Sequence, residues 1–145
     1  MEIKSNQSTI VDIKNHLWQV SPQFVPELSS YVDIDKYSEK LYKKAQRIEI
    51  WDNGQLEGLL AYYLNTESRF AFITNVSISP RIMREGMASE MIKRMIEDNK
   101  GEFDIIRLEV NEDNERAKRF YYKNGFMVKH SIEHGAILME RSIDL

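Results

Sequence analysis

The hydrophobic period of the chain changes at Gly86, and this junction constrains the fold more than any other stretch. Ahead of it, FAFITNVSI at residues 70–78 reads as an apolar strand bounded by Pro80. Behind it, Ala88, Met91, Ile92, Met95 and Ile96 fall at the i, i+3, i+4, i+7 and i+8 spacing of one helix face, with Gly101 as the expected C-cap. FDIIRLEV then gives another strand. Strand, helix and strand in that order predict parallel pairing. Gly86 itself serves either a sharp turn or a close approach to the backbone. The first N–H groups of a helix lack internal acceptors and carry the positive end of its dipole. Arg84, Glu85, Gly86, Met87, Ala88 and Ser89 therefore form a candidate anion cradle, with small residues at three of the six positions. Arg81 and Arg84 are placed to supply charge to phosphate oxygens.

The rest of the chain reads as further elements of a mixed α/β domain spanning residues 1–145. Ile10, Ile13, Leu17 and Val20 recur at helical spacing behind Ser8, the expected N-cap. A loop holding Pro22 and Pro26 leads to a second helix after Asp33, with Ile34, Tyr37, Leu41 and Tyr42 on one side. RIEIWDNGQLEGLLAYYL folds as a hairpin about Asn53-Gly54. NERAKRFYYKN is a short helix stopped at Gly125, and FMVKH and GAILMERSI are the last strands. The predicted order is two helices, three strands, a helix, a strand, a helix and two strands, with an antiparallel half and a parallel half.

Composition narrows the chemistry. The chain has no cysteine and three scattered histidines, so a cysteine-ligated centre is excluded and a metal site is not expected. A net charge of −3 argues against a nucleic-acid partner. No run approaches a membrane span and the first residues lack a signal-peptide core, so the expectation is a cytoplasmic protein without a membrane partner, monomeric or homodimeric.

Two stretches carry a family resemblance. VSISPRIMREGMASEMI resembles the acetyl-CoA motif of the GNAT N-acetyltransferase superfamily, a strand ending in Val-x-Val-x-Pro followed by Arg/Gln-x-x-Gly-x-Gly/Ala and a helix. Val76, Ile78, Pro80, Gly86 and Ala88 stand in register, while Met83 takes the place of Arg/Gln. LEVNEDNERAKRFYYKNGF resembles the second signature, Asn-x-x-Ala-x-x-Leu/Phe-Tyr-x-x-x-Gly-Phe, through Asn114, Ala117, Phe120, Tyr121, Gly125 and Phe126. The resemblance covers nearly the whole chain, including its likeness to ribosomal-protein-type and, loosely, to bacterial polysaccharide-associated acetyltransferases. It implies the GNAT fold: a mixed, mostly antiparallel sheet splayed between two central strands and flanked by about four helices.

The same resemblance implies an acetyl-CoA-dependent N-acetyltransferase, with acetyl-CoA as co-substrate. Its pyrophosphate would lie on residues 84–89, and its pantetheine arm along Val76, Ser77 and Ile78. Asn114 would reach the cofactor. Tyr121 aligns with the general acid to the leaving thiolate, a task that suits a phenol of pKa about 10. Glu109 is the expected base, acting directly or through water; in IRLEV it alternates away from Ile106, Leu108 and Val110. The acceptor wall is expected from Phe24, Tyr31, Asn75, Glu109 and His134, with His16, Trp18, Asp33, His130 and Glu133 nearby. The expected partner is a small-molecule primary amine, such as an amino sugar. The alternatives are a protein or peptide acceptor, at an N-terminus or a lysine, and a non-catalytic acyl-CoA-binding module.

Overall fold

The computed structural model describes residues 1–144. Asn53 and Gly54 both take positive φ, 50° and 75°, as a two-residue hairpin turn requires, and join β2 (Gln46–Asp52) to β3 (Gln55–Asn65). β4 (Phe70–Ile78) follows antiparallel to β3, α3 (Met87–Asp98) crosses over, and β5 (Ile105–Asn111) returns parallel to β4. The remaining elements are β1 (Glu2–Ser5), α1 (Ile10–Val20), α2 (Ile34–Lys44), α4 (Glu115–Lys123), β6 (Met127–Ser131) and β7 (Ala136–Ser142). The seven strands form one sheet in the order β1-β2-β3-β4-β5-β7-β6, antiparallel except at β4·β5.

Each face of this sheet has its own core. Leu56, Leu59 and Ala61 pack with Ile13, Leu17 and Leu41 of α1 and α2 on one face. Ile73, Ile106 and Leu108 pack with Met91, Ile92 and Met95 of α3 on the other, where Ala117, Phe120 and Tyr121 of α4 join them. Alternating strand residues supply the two faces, which is why the mid-strand run Leu56–Tyr62 is buried throughout.

Five sequence expectations change. β1 is additional; with Ile3 as its only strongly apolar residue and just four positions, it has no readable alternation. The first helix is capped by Thr9, which exchanges hydrogen bonds with Asp12. Ser8 instead bonds the buried Glu49 carboxylate, which also accepts from the Gln7 N–H at 2.8 Å and sits 3.3 Å from Arg47 Nε. This paired, fully bonded charge ties the segment before α1 to β2. Tyr42 faces solvent and Ser38 takes the inner position on α2. Asn99, rather than Gly101, caps α3. The second strand-helix-strand unit forms no parallel pair, because β7 inserts beside β5 and leaves β6 at the edge. Among the described residues no helix is long and apolar enough to cross a membrane.

Candidate active site

The ladder between β4 and β5 ends at Ile73↔Leu108, although β4 continues for five residues. A bulge accompanies this end: β3 pairs Ala61 with Asn75 but Tyr62 with Ile73, so Thr74 has no opposite residue. The Ser79 N–H bonds the Glu57 carbonyl at 2.7 Å. By the alternation of an antiparallel ladder, Ser77 and Asn75 then spend their main-chain groups on β3, and Val76 and Ile78 turn theirs toward the vacated β5 side. Those groups border a cleft of about 450 Å³ between the diverging strands.

At one end the cleft meets α3. Gly86 caps this helix with φ 87°, offers no side chain to the first turn, and has open space where a Cβ would stand. Among the described residues the N–H groups of Ala88 and Ser89 bond no acceptor, whereas Glu90 N–H already reaches the Gly86 carbonyl at 2.9 Å. Arg84, Glu85, Gly86, Ala88 and Ser89 all border the cleft. Met87 does not; its side chain packs on the core beneath α3. Met83 borders the cleft too, and Arg116 of α4 brings a guanidinium nitrogen to 3.5 Å from its sulfur. Arg84, Arg116 and Lys123 thus all border the cleft, the last two from the first and last turns of α4.

The opposite wall comes from β5 and α4. Ile106, Leu108 and Val110 are buried while Glu109, pointing to the other face, is exposed and borders the cleft. Asn114 caps α4 by accepting from Ala117 N–H at 3.1 Å, and it borders the cleft as well. Tyr121 sits about two turns further on, its ring edge-on to Phe120 and Phe126 at centroid distances of 5.1 and 5.5 Å. Burial pushes its phenol pKa well above the ordinary value, so the hydroxyl holds its proton.

The acceptor end is less fully assembled than the sequence predicts. Phe24 and Tyr31, from the loop between α1 and α2, border the cleft together with Asn75, Ser77 and Glu109. His134 lies outside it with its side chain 93% exposed, because its turn (Glu133–Gly135) projects beyond the end of β6. His130 and Glu133 are exposed as well. Trp18 lies on the outer face of α1, and Asp33 is spent capping α2 through Lys36 N–H. His16 is buried behind β4, where its Nε2 lies 2.9 Å from Ser77 Oγ.

A sheet parted between two central strands, with an uncapped helix N-terminus at one end of the gap and a protonated tyrosine on its wall, defines a group-transfer protein built to hold an extended anionic ligand. The chain belongs to the acetyltransferase (GNAT) family, whose model matches residues 10–126. Solved structures share the fold across their full length. The ribosomal-protein-S18-alanine N-acetyltransferase of Escherichia coli gives a TM-score of 0.75 at 16% identity, covering 98% of this chain and 93% of that one. PaiA N-acetyltransferase from Thermoplasma acidophilum, determined in complex with coenzyme A, gives 0.73 at 18% identity over 98% and 99%. An aminoglycoside 6′-N-acetyltransferase complexed with coenzyme A gives 0.80 at 12% identity over 99% and 97%. Among curated protein sequences none matches significantly.

Proposed function

We propose that this protein transfers an acetyl group from acetyl-CoA to the nitrogen of a small primary amine, with amino-sugar derivatives as the first class of acceptor and peptide N-termini as the second. The observation that carries the reading is the charge layout of the cleft. Arg84 before the α3 N-terminus and Arg116 and Lys123 of α4 border it, and so do Glu109 of β5 and the aromatic Phe24 and Tyr31. The cations suit a diphosphate, and the carboxylate with the aromatic rings suits a cationic amine.

The main chain of Val76 and Ile78 receives the pantetheine arm as an added strand, and the α3 N-terminus receives the pyrophosphate. Glu109, directly or through a water, takes one proton from the ammonium form of the acceptor so that its nitrogen lone pair attacks the thioester carbonyl carbon. The carbon–nitrogen bond forms, the carbon–sulfur bond breaks, Tyr121 gives its proton to the departing sulfur, and the second proton of the acylated nitrogen passes to the tyrosinate, leaving a neutral amide. Main-chain N–H groups at the splay polarise the carbonyl. The coenzyme A complexes of the Thermoplasma and aminoglycoside enzymes support this use of the cleft, since both share its fold.

Incubation with acetyl-CoA and a panel of amino sugars, alkylamines, peptides and basic proteins tests the acceptor class, read by product mass and stability to alkali. An alkali-stable amide on a small amine is expected. An alkali-labile ester, or activity confined to long basic polypeptides, contradicts the reading.

A further inference from the structure

Where β4 parts from β5, side chains of α1 and α2 hydrogen-bond β4 residues. Tyr37 of α2 places its hydroxyl 3.1 Å from the Thr74 carbonyl oxygen and 2.8 Å from Thr74 Oγ1. The two contacts are compatible: the phenol donates to the carbonyl and accepts from the threonine. Thr74 is the bulged residue, so its carbonyl has no ladder partner across from β3, and Tyr37 satisfies it. Three residues on, His16 Nε2 meets Ser77 Oγ at 2.9 Å, and Ser77 in turn donates to Asn75 Oδ1 at 2.8 Å. His16, Asn75 and Ser77 are all buried. The His16 chain thus fixes the two β4 side chains flanking Val76, while Tyr37 fixes the bulge before them.

We propose that Tyr37 and His16 are positioning residues for acyl transfer, bracing Thr74–Ser77 from the α1/α2 face so that the free main-chain groups of Val76 and Ile78 keep their aim into the cleft. The inference rests on the acetyl-transfer reading of that cleft. Burial raises the pKa of the Tyr37 phenol far above its usual value and lowers that of His16 to about 4, so at neutral pH both braces are uncharged and stay so. Neither residue borders the cleft; both act through β4.

Tyr37→Phe keeps the ring and removes the hydroxyl. The expected result is a fall in kcat of about tenfold, with KM for the amine and Kd for acetyl-CoA within about twofold of wild type. Thr74→Val removes one of the two contacts and should show a smaller loss. The double variant should be no slower than Tyr37→Phe alone, because both changes act on one linkage. A carbonyl-labelled acetyl-CoA gives a readout that needs no acceptor: its infrared carbonyl band in the complex should lie closer to the free-solution frequency in Tyr37→Phe than in wild type. An unchanged kcat, an unchanged band, losses that multiply in the double variant, or a parallel loss of cofactor affinity would each overturn the proposal. Should Tyr37→Phe fail to fold, Thr74→Val carries the same band and kcat comparison. Absence of turnover with every amine, alongside a shifted band that Tyr37→Phe relaxes, would sink the acceptor reading and leave the brace standing.

Discussion

Tyr121 and His16 show one physical effect, burial, holding two side chains uncharged at neutral pH. In Tyr121 the apolar ring neighbours disfavour the phenolate, so the proton needed by a leaving thiolate is retained through neutral and mildly alkaline pH. Tyr121→Phe preserves the edge-on packing and removes only that proton; kcat should fall by about 100-fold with little change in acetyl-CoA affinity. A near-normal kcat would mean that solvent protonates the sulfur. In His16 burial disfavours the imidazolium and lowers the pKa from 6.5 to about 4. Protons then bind the unfolded chain more readily than the folded one, so the stability contributed at neutral pH, at most about 3 kcal/mol, is lost as pH falls from about 6.5 toward 4. Denaturant unfolding at pH 7.5 and pH 4.5 should show a larger drop for wild type than for His16→Gln; equal drops would contradict the assignment. The role proposed for Tyr121 is legible in the sequence through the family resemblance, whose second signature sets it between Asn114, Ala117 and Gly125-Phe126. That of His16 is not. Its place beside Ile13 and Leu17 announces an inner helix face, but its partner, Ser77, lies sixty-one residues away and is brought there only by the packing of α1 on the sheet.

At the scale of elements, the decisive feature is an end: the point where β4 and β5 stop pairing. The junction from β4 to α3 was readable because a strand period and a helix period meet there, and the hairpin was readable because Asn-Gly suits positive φ at both positions. The strand order beyond β5 was not, since no local pattern shows that β7 rather than β6 will lie beside β5. The acceptor end suffered similarly: His130, Glu133 and His134 belong to an edge strand and a turn whose direction depends on that order. Gly86 carries the element-scale prediction. A valine there would have to adopt φ 87°, in a region costly for a β-branched residue, and its side chain would fill space open to a ligand at the helix N-terminus. Gly86→Val should raise Kd for coenzyme A at least about tenfold, or about 1.4 kcal/mol, as measured by calorimetric titration of the folded variant. Unchanged affinity would remove the pyrophosphate from this loop.

For the molecule as a whole, the parted sheet is a passage between two cores. The α3 and α4 face carries Arg116, Lys123 and Tyr121, the loop between α1 and α2 carries Phe24 and Tyr31, and all of them border the cleft where the sheet opens. This arrangement explains why a chain with net charge −3 can hold a polyanion: the cations need only be local, at Arg84, Arg116 and Lys123. A transferase differs from a module that merely binds acyl-CoA in having to bring an acceptor amine to the thioester in this cleft. The measurement that bears on this most directly is the release of free coenzyme A thiol from acetyl-CoA, followed with and without a small primary amine. The account predicts saturable release that depends on the amine and yields the N-acetyl product. Tight binding of acetyl-CoA with no thiol released by any amine would contradict it and leave a binding module in its place.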